Sequence, residues 1–200
     1  DAQEMIRVSK ETNMHFGVCF QNRYASQVVT MKEMIESGKT GKVLGARAIV
    51  TWHRDEDYYL NSAWRGKWDT EGGGVLINQA IHTIDLLQWL IGDVAEVKGK
   101  TDTRLLNKVI EVEDNAEVTM RFKNGVIACF YATNCFSTNS PVIIDIICEK
   151  LNMRLENELT LYDGRQYEKT YGGSTECKDE IYWGNGHDQL ISDFYHGLIT

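Results

Sequence analysis

"GGGVLINQAIHTIDLLQWLIG", residues 72–92, opens on three glycines, closes on a fourth and is apolar over most of its length. It reads as a helix bound for a core. An amide, an imidazole and a carboxylate sit in its middle: Asn78, His82 and Asp85. At about 100° per residue, His82 lies about 40° and Asp85 about −20° from Asn78, so a helix puts all three in one narrow stripe that Trp89 continues. Burying an unpaired amide or imidazole costs roughly 1–3 kcal/mol each, so the stripe requires partners or a ligand. Two structural readings stand beside a functional one: Asp85 caps a loop or pairs with an arginine, and His82 is a satisfied core histidine. The glycines either bring backbone N–H groups to an anion or form a tight packing turn. They are not a dinucleotide fingerprint, because the third glycine of G-x-G-x-x-G would fall on Ile77.

Upstream of this stretch, the spacing predicts a helix over 2–12, a short buried strand over 14–20, a helix over 27–38 ended by Gly38, and a strand over 43–54. Downstream, strand-sized pieces follow at 95–104, 115–123, 126–135, 142–150, 151–157, 158–163 and 166–173, and a helix closes at 187–199. Asn124–Gly125 is a hairpin signal. The order predicts an α+β fold: a large, mostly antiparallel sheet with helices on one face. "VIACFYA" (126–132) and "VIIDIIC" (142–148) are apolar at nearly every position. Both faces of the sheet are therefore expected to be buried, the second as an oligomer interface.

With 200 residues, 42% hydrophobic and 25% charged, the chain has the composition of an ordinary globular protein able to bury a sizeable core. Its formal charge of −8, without a Lys/Arg cluster, argues against nucleic acid and against an anionic membrane surface. No run approaches the ~18 apolar residues of a membrane span, and no signal peptide is evident. The five cysteines form no CxxC pair. Cys19, Cys129, Cys135 and Cys148 fall in apolar runs and are expected to be buried free thiols, which suits the cytoplasm.

The segment before the glycines, "WHRDEDYYLNSAWRGKWDTEGGG" (52–74), holds three tryptophans, two tyrosines, two arginines and a histidine. Aromatic faces with forked guanidiniums suit a polyhydroxylated ligand, although a loop packed under its own side chains has the same composition. Taken with "GVCFQNRY" (17–24), "GKVLGARAIVTWHR" (41–54) and "HDQLISDF" (187–194), the segment from Trp64 to Gly92 resembles the second domain of the glucose–fructose oxidoreductase / inositol dehydrogenase (Gfo/Idh/MocA) family.

That resemblance implies an oxidoreductase that transfers hydride between NAD or NADP and a sugar, polyol or related hydroxy compound. Residues 1–20 would be the tail of a Rossmann domain. Residues 21–200 would be the substrate-binding and oligomerisation domain, forming a homodimer or homotetramer through the sheet. His82 and Asn78 would be catalytic, His82 exchanging the substrate hydroxyl proton at a near-neutral pKa. The family commonly carries Asp where this chain has Asn78, and an amide orients rather than takes a proton. Arg23, Tyr24, Trp64 and Arg65 would bind substrate, with Gln21 and Asn22 as weaker candidates. The family's Glu-Lys-Pro motif and glycine-rich phosphate loop are not found, so no residue of this chain is assigned to the cofactor. The chain alone is expected to be inactive and to be a piece of a longer polypeptide. His53, His82 and His187 have no metal-ligand spacing, so no metal is expected. A non-catalytic sugar-binding or scaffolding module on the same fold is the alternative, and a metal-assisted lyase or hydrolase a third.

Overall fold

The computed structural model describes residues 2–163, 167–171 and 186–199. Helix α1 (Ala2–Thr12) leads through an extended segment to a 3₁₀ turn (Gln21–Tyr24) and helix α2 (Ser26–Glu36). Strand β1 (Val43–Thr51), the short helix α3 (Glu56–Leu60) and helix α4 (Ile81–Ile91) follow. Then come β2 (Val94–Asp102), β3 (Asn115–Phe122), β4 (Ile127–Thr133), β5 (Ile143–Cys148), β6 (Asn152–Leu155), β7 (Leu159–Tyr162), β8 (Tyr167–Tyr171) and helix α5 (His187–Ile199).

The strands form one sheet in the order β2-β3-β4-β1-β5-β6-β7-β8. Every neighbouring pair is antiparallel except β1 and β4, which run parallel with Ala46 opposite Ala128. The α+β architecture is thus as expected, with one departure from a plain meander: β1 lies between β4 and β5. Those two strands are the most apolar of the later set, and β1 between them puts all three at the centre of the sheet. The Asn124–Gly125 turn joins β3 to β4, with Gly125 at φ 88°.

One face carries the core. Ala46, Ala48 and Val50 of β1 lie beside Ala128, Phe130 and Ala132 of β4 and Ile144 and Ile146 of β5. Leu86, Leu87 and Leu90 of α4 and Val28 and Met31 of α2 pack in the same cluster. The alanine rows leave room for helices to approach the sheet closely. On the opposite face the expectation of burial is not met within one chain. The runs 126–132 and 142–148 alternate in burial, and Ile127, Tyr131 and Ile147 stand exposed. Between them Asp145 is held by Arg47 and Arg154.

Helix 2–12 forms as expected, but the segment after it departs from expectation. Residues 14–20 form no strand, and Met14, Phe16 and Val18 are exposed, as are Met5, Ile6 and Val8 of α1. A strand forms by joining a ladder, and no strand among the described residues pairs with this one. The cysteines follow suit: Cys148 is buried, but Cys19 and Cys129 are exposed and Cys135 is half-buried, all four as free thiols. Of the predicted strand 166–173, residues 166, 172 and 173 lie outside the described residues.

Candidate functional site

Helix α4 begins at Ile81, so the predicted stripe is corrected at its first member. Residues 75–80 form an irregular turn. The Val75 N–H donates to Glu113 O, Asn78 N–H to Gly74 O and Ala80 N–H to Val75 O. The turn is pinned because Gly74 lies directly on the backbone of Glu113, where a Cβ would fall 1.9 Å from the carbonyl oxygen. Glu113 then accepts a hydrogen bond from Leu76 N–H. The glycine run therefore makes the packing turn. Asn78, off the helix, donates through Nδ2 to Glu71 Oε1, and Glu71 Oε2 accepts from the Gly66 N–H.

His82 and Asp85 do share a face of α4, three residues apart. Asp85 receives the guanidinium of Arg23 in a two-point pair, Nε to Oδ2 at 2.8 Å and Nη2 to Oδ1 at 2.5 Å. Arg23 also stacks over Phe20 and Trp89. Its fork is thus engaged within the protein, tying the 3₁₀ turn to α4. The ring of His82 meets Phe20 edge-on, with centroids 5.9 Å apart. Its Nδ1 is buried without a hydrogen-bond partner. Burial pushes the imidazole below its ordinary value of 6.5; His187 acts in the same direction and Asp85 opposes. His187 opens α5, which docks on the 3₁₀ turn where Gly186 lies against Gln21 O. Burial and a hydrogen bond to Asp193 of α5 push the Tyr24 phenol up.

A cavity of about 610 Å³ lies between residues 17–24 and α5, lined by Phe20, Arg23, Tyr24 and Phe194 among others. His82, Trp64 and Arg65 do not line it, while Phe20, which does, meets the His82 ring.

In the aromatic loop, Arg54 stacks on Trp52 and Tyr58, each at 5.1 Å, and Arg65 on Tyr58 at 4.4 Å and Trp64 at 4.7 Å. Tyr58 is linked to the turn before α4, accepting from Gln79 Nε2. Gln79 Oε1 in turn accepts from Asn134, which also donates to the Tyr59 hydroxyl. This buried Gln79–Asn134–Tyr59 network and Glu71 were not singled out from sequence. Gln79, a polar residue inside the apolar run, was the available signal; Asn134 had none. His53 is engaged elsewhere, its Nδ1 within 2.8 Å of Phe136 O. Among the described residues no group of three or more His, Cys, Asp or Glu side chains is placed to hold a metal.

The fold defines a class, an α+β domain built on one large, mostly antiparallel sheet with helices packed on one face. Residues 28–154 match the model of the GFO/IDH/MocA C-terminal domain, and the chain belongs to that family. It is 24% identical over 99% of its length to levoglucosan dehydrogenase of Pseudarthrobacter phenanthrenivorans, covering 61% of that protein. It is 28% identical over 66% of its length to 1,5-anhydro-D-fructose reductase of Ensifer adhaerens, covering 38% of it. The WlbA dehydrogenase of Bordetella pertussis, solved with NADH and UDP-GlcNAcA, superposes with a TM-score of 0.74 at 27% identity, over 97% of this chain and 56% of that one. The chain thus spans less than two thirds of the length of these relatives.

Proposed function

We propose that residues 21–200 are the substrate domain of an NAD(P)-dependent oxidoreductase acting on a sugar, polyol or related hydroxy compound, and that residues 1–20 are the tail of its nucleotide-binding domain. The observation that carries the reading is His82: a half-buried imidazole, biased toward its neutral form, with one ring nitrogen unpaired, on the helix that follows the aromatic–arginine loop in the chain. A neutral imidazole accepts a proton at pH 7. In this reading it takes the hydroxyl proton of the substrate as hydride leaves the same carbon, and returns it in the reverse direction.

The nicotinamide supplies the hydride acceptor. The glycine run does not fit its phosphates, since Gly74 packs on the backbone of Glu113, so its binding is assigned to the other domain. The exposed apolar side chains of α1 and residues 14–18 suit a tail that packs against such a domain. On the substrate side, Arg23 holds α4 through Asp85, Tyr24 borders the cleft, and Trp64 and Arg65 contact the sugar. Asn78 orients the loop through Glu71. Four free thiols and no helix long and apolar enough to cross a membrane, among the described residues, accord with a cytoplasmic enzyme.

The second reading, a sugar-binding module without chemistry, rests on Asn78 in place of the common Asp. One experiment separates them. The full-length protein is assayed for nicotinamide absorbance change with a polyol panel, and His82→Ala is compared with wild type. Hydride transfer predicts turnover and a loss in kcat of ~10²-fold or more. Sugar binding without any absorbance change, or wild-type turnover in His82→Ala, refutes it.

A further inference from the structure

Six of the eight described arginines face a carboxylate: Arg7, Arg23, Arg47, Arg104, Arg121 and Arg154. The other two are Arg54 and Arg65. Both are half-buried, and both stack on the ring of Tyr58. Arg54 donates through Nη1 to His53 O and Asn139 Oδ1. Arg65 makes no hydrogen bond or ion pair among the described residues, and the Nε of each arginine is buried without a partner. Carboxylates are close by in sequence. Asp55, Glu56, Asp57, Asp69 and Glu71 all lie within the same loop. Asp55 caps α3 through the Tyr58 N–H, and Glu71 holds Gly66 and Asn78. In a chain of net charge −8, two neighbouring cations left without a counter-ion are a consequence of how the loop folds, not of a shortage of acids.

Stacking on aromatic faces offsets part of the cost of desolvating a guanidinium, and in Arg65 it leaves the in-plane donors unused. Those donors form a fork that matches a carboxylate or phosphoryl group at two points. The Arg65 fork also sits against Trp64, whose ring is about half exposed and offers a face to a sugar ring. The loop is tied to the segment bearing His82 at two places, by Gln79 to Tyr58 and by Asn78 through Glu71 to Gly66.

We propose that Arg65, with Arg54 beside it, receives an anionic substituent of the substrate, so that this site takes an acidic sugar, a sugar carboxylate or a sugar phosphate, in preference to a neutral one. The proposal rests on the reading of this domain as a substrate site. It selects among substrates by charge: the anion replaces the missing counter-ion, whereas a neutral hydroxyl leaves two half-buried cations unpaired.

The test is calorimetric titration of the full-length protein, with nicotinamide present, using D-glucose, D-glucuronate and D-glucose 6-phosphate. At least one acid is expected to bind about tenfold or more tightly than glucose, and the tighter of the two identifies carboxylate or phosphoryl as the group read. Arg65→Met should bring the acid-to-neutral preference to within about twofold. Arg65→Lys, which keeps the charge and removes the fork, should retain only part of it; thermal melting confirms that both variants are folded. Equal binding of glucose and both acids, or an unchanged preference in Arg65→Met, overturns the proposal while leaving the hydride-transfer reading intact. Failure of all three to bind removes the sugar site itself, and this proposal with it.

Discussion

Replacing Asp85 with asparagine tests whether the Arg23 pair holds α4 and biases His82. The carboxylate is 9% exposed and the guanidinium 38%, and two charge-assisted bonds join them. Breaking a fully buried pair costs about 3–5 kcal/mol. Solvent at the guanidinium reduces that, and an asparagine oxygen retains one weaker bond, so about 2 kcal/mol is expected. For a chain of this size that lowers the melting midpoint by about 4–8 °C. A double-mutant cycle with Arg23→Gln should show a coupling of about 1–2 kcal/mol. The second readout is His82. Asp85 is the influence that favours the imidazolium against burial and His187. Without it the imidazole should titrate lower still, which two-dimensional NMR of the histidine side chains follows directly. Stability within 0.5 kcal/mol of wild type, or a His82 that titrates at the same or higher pH, would refute the account of this pair.

Three further outcomes are expected. Burial holds His82 below 6.5, so the unfolded chain takes up a proton that the fold resists. Its contribution is therefore complete above about pH 6.5 and declines as pH falls toward the folded-state pKa. Urea midpoints measured from pH 7.5 to 5.5 should decrease, and His82→Gln should remove part of that slope. Gly74→Ala places a Cβ 1.9 Å from Glu113 O and should cost at least about 2 kcal/mol by denaturation, because backbone rather than a flexible side chain must move. The exposed apolar side chains Ile127, Tyr131 and Ile147 test the expected oligomer interface: if a second copy covers them, sedimentation at micromolar concentration should show a dimer or tetramer, and Ile127→Glu should shift it toward monomer. A wild-type protein that sediments only as monomer counts against that face as an interface.

The sheet was legible because its signals are local. Asn124–Gly125 sets a hairpin, and alternation along 115–122 and 127–133 sets which face is buried. Where β1 inserts was not legible, since nothing local distinguishes pairing with β4 from pairing with β6. The site was half legible. His82 and Asp85 share a helical face as their spacing requires, and Asp85 found the arginine that one structural reading gave it. Asn78 left that face because the helix start is set by a tertiary contact, Gly74 against Glu113, 39 residues later in the chain. No window around 72–92 contains that information. The burial of Asn134 and Gln79 is of the same kind: their hydrogen bonds join segments 55 residues apart.

The amide at position 78 has a physical account in this geometry. Its Nδ2 donates to Glu71, a carboxylate whose other oxygen holds Gly66 beside Arg65. A carboxylate only accepts, so the group facing it must donate. Aspartate at 78, the residue common in the family, would set two carboxylates against each other across that bond. Asn78→Asp should therefore destabilise the protein by about 1–3 kcal/mol at pH 7.5, since a donor is lost and two like charges face each other. Part of that loss should be recovered as pH falls, because one of the two carboxyls takes up a proton and donates in place of the amide. The fold then binds a proton that the unfolded chain gives up, so the recovery begins above the ordinary carboxylate range. Glu71→Gln in the same chain restores a donor opposite the new carboxylate, and should return the stability at neutral pH. The measurement is a urea titration of all three variants between pH 7.5 and 5. If Asn78→Asp matches wild type throughout, or if Glu71→Gln fails to rescue it, the amide is not there to satisfy Glu71, and the loop carrying Trp64 and Arg65 must be held to α4 by Gln79 and Tyr58 alone.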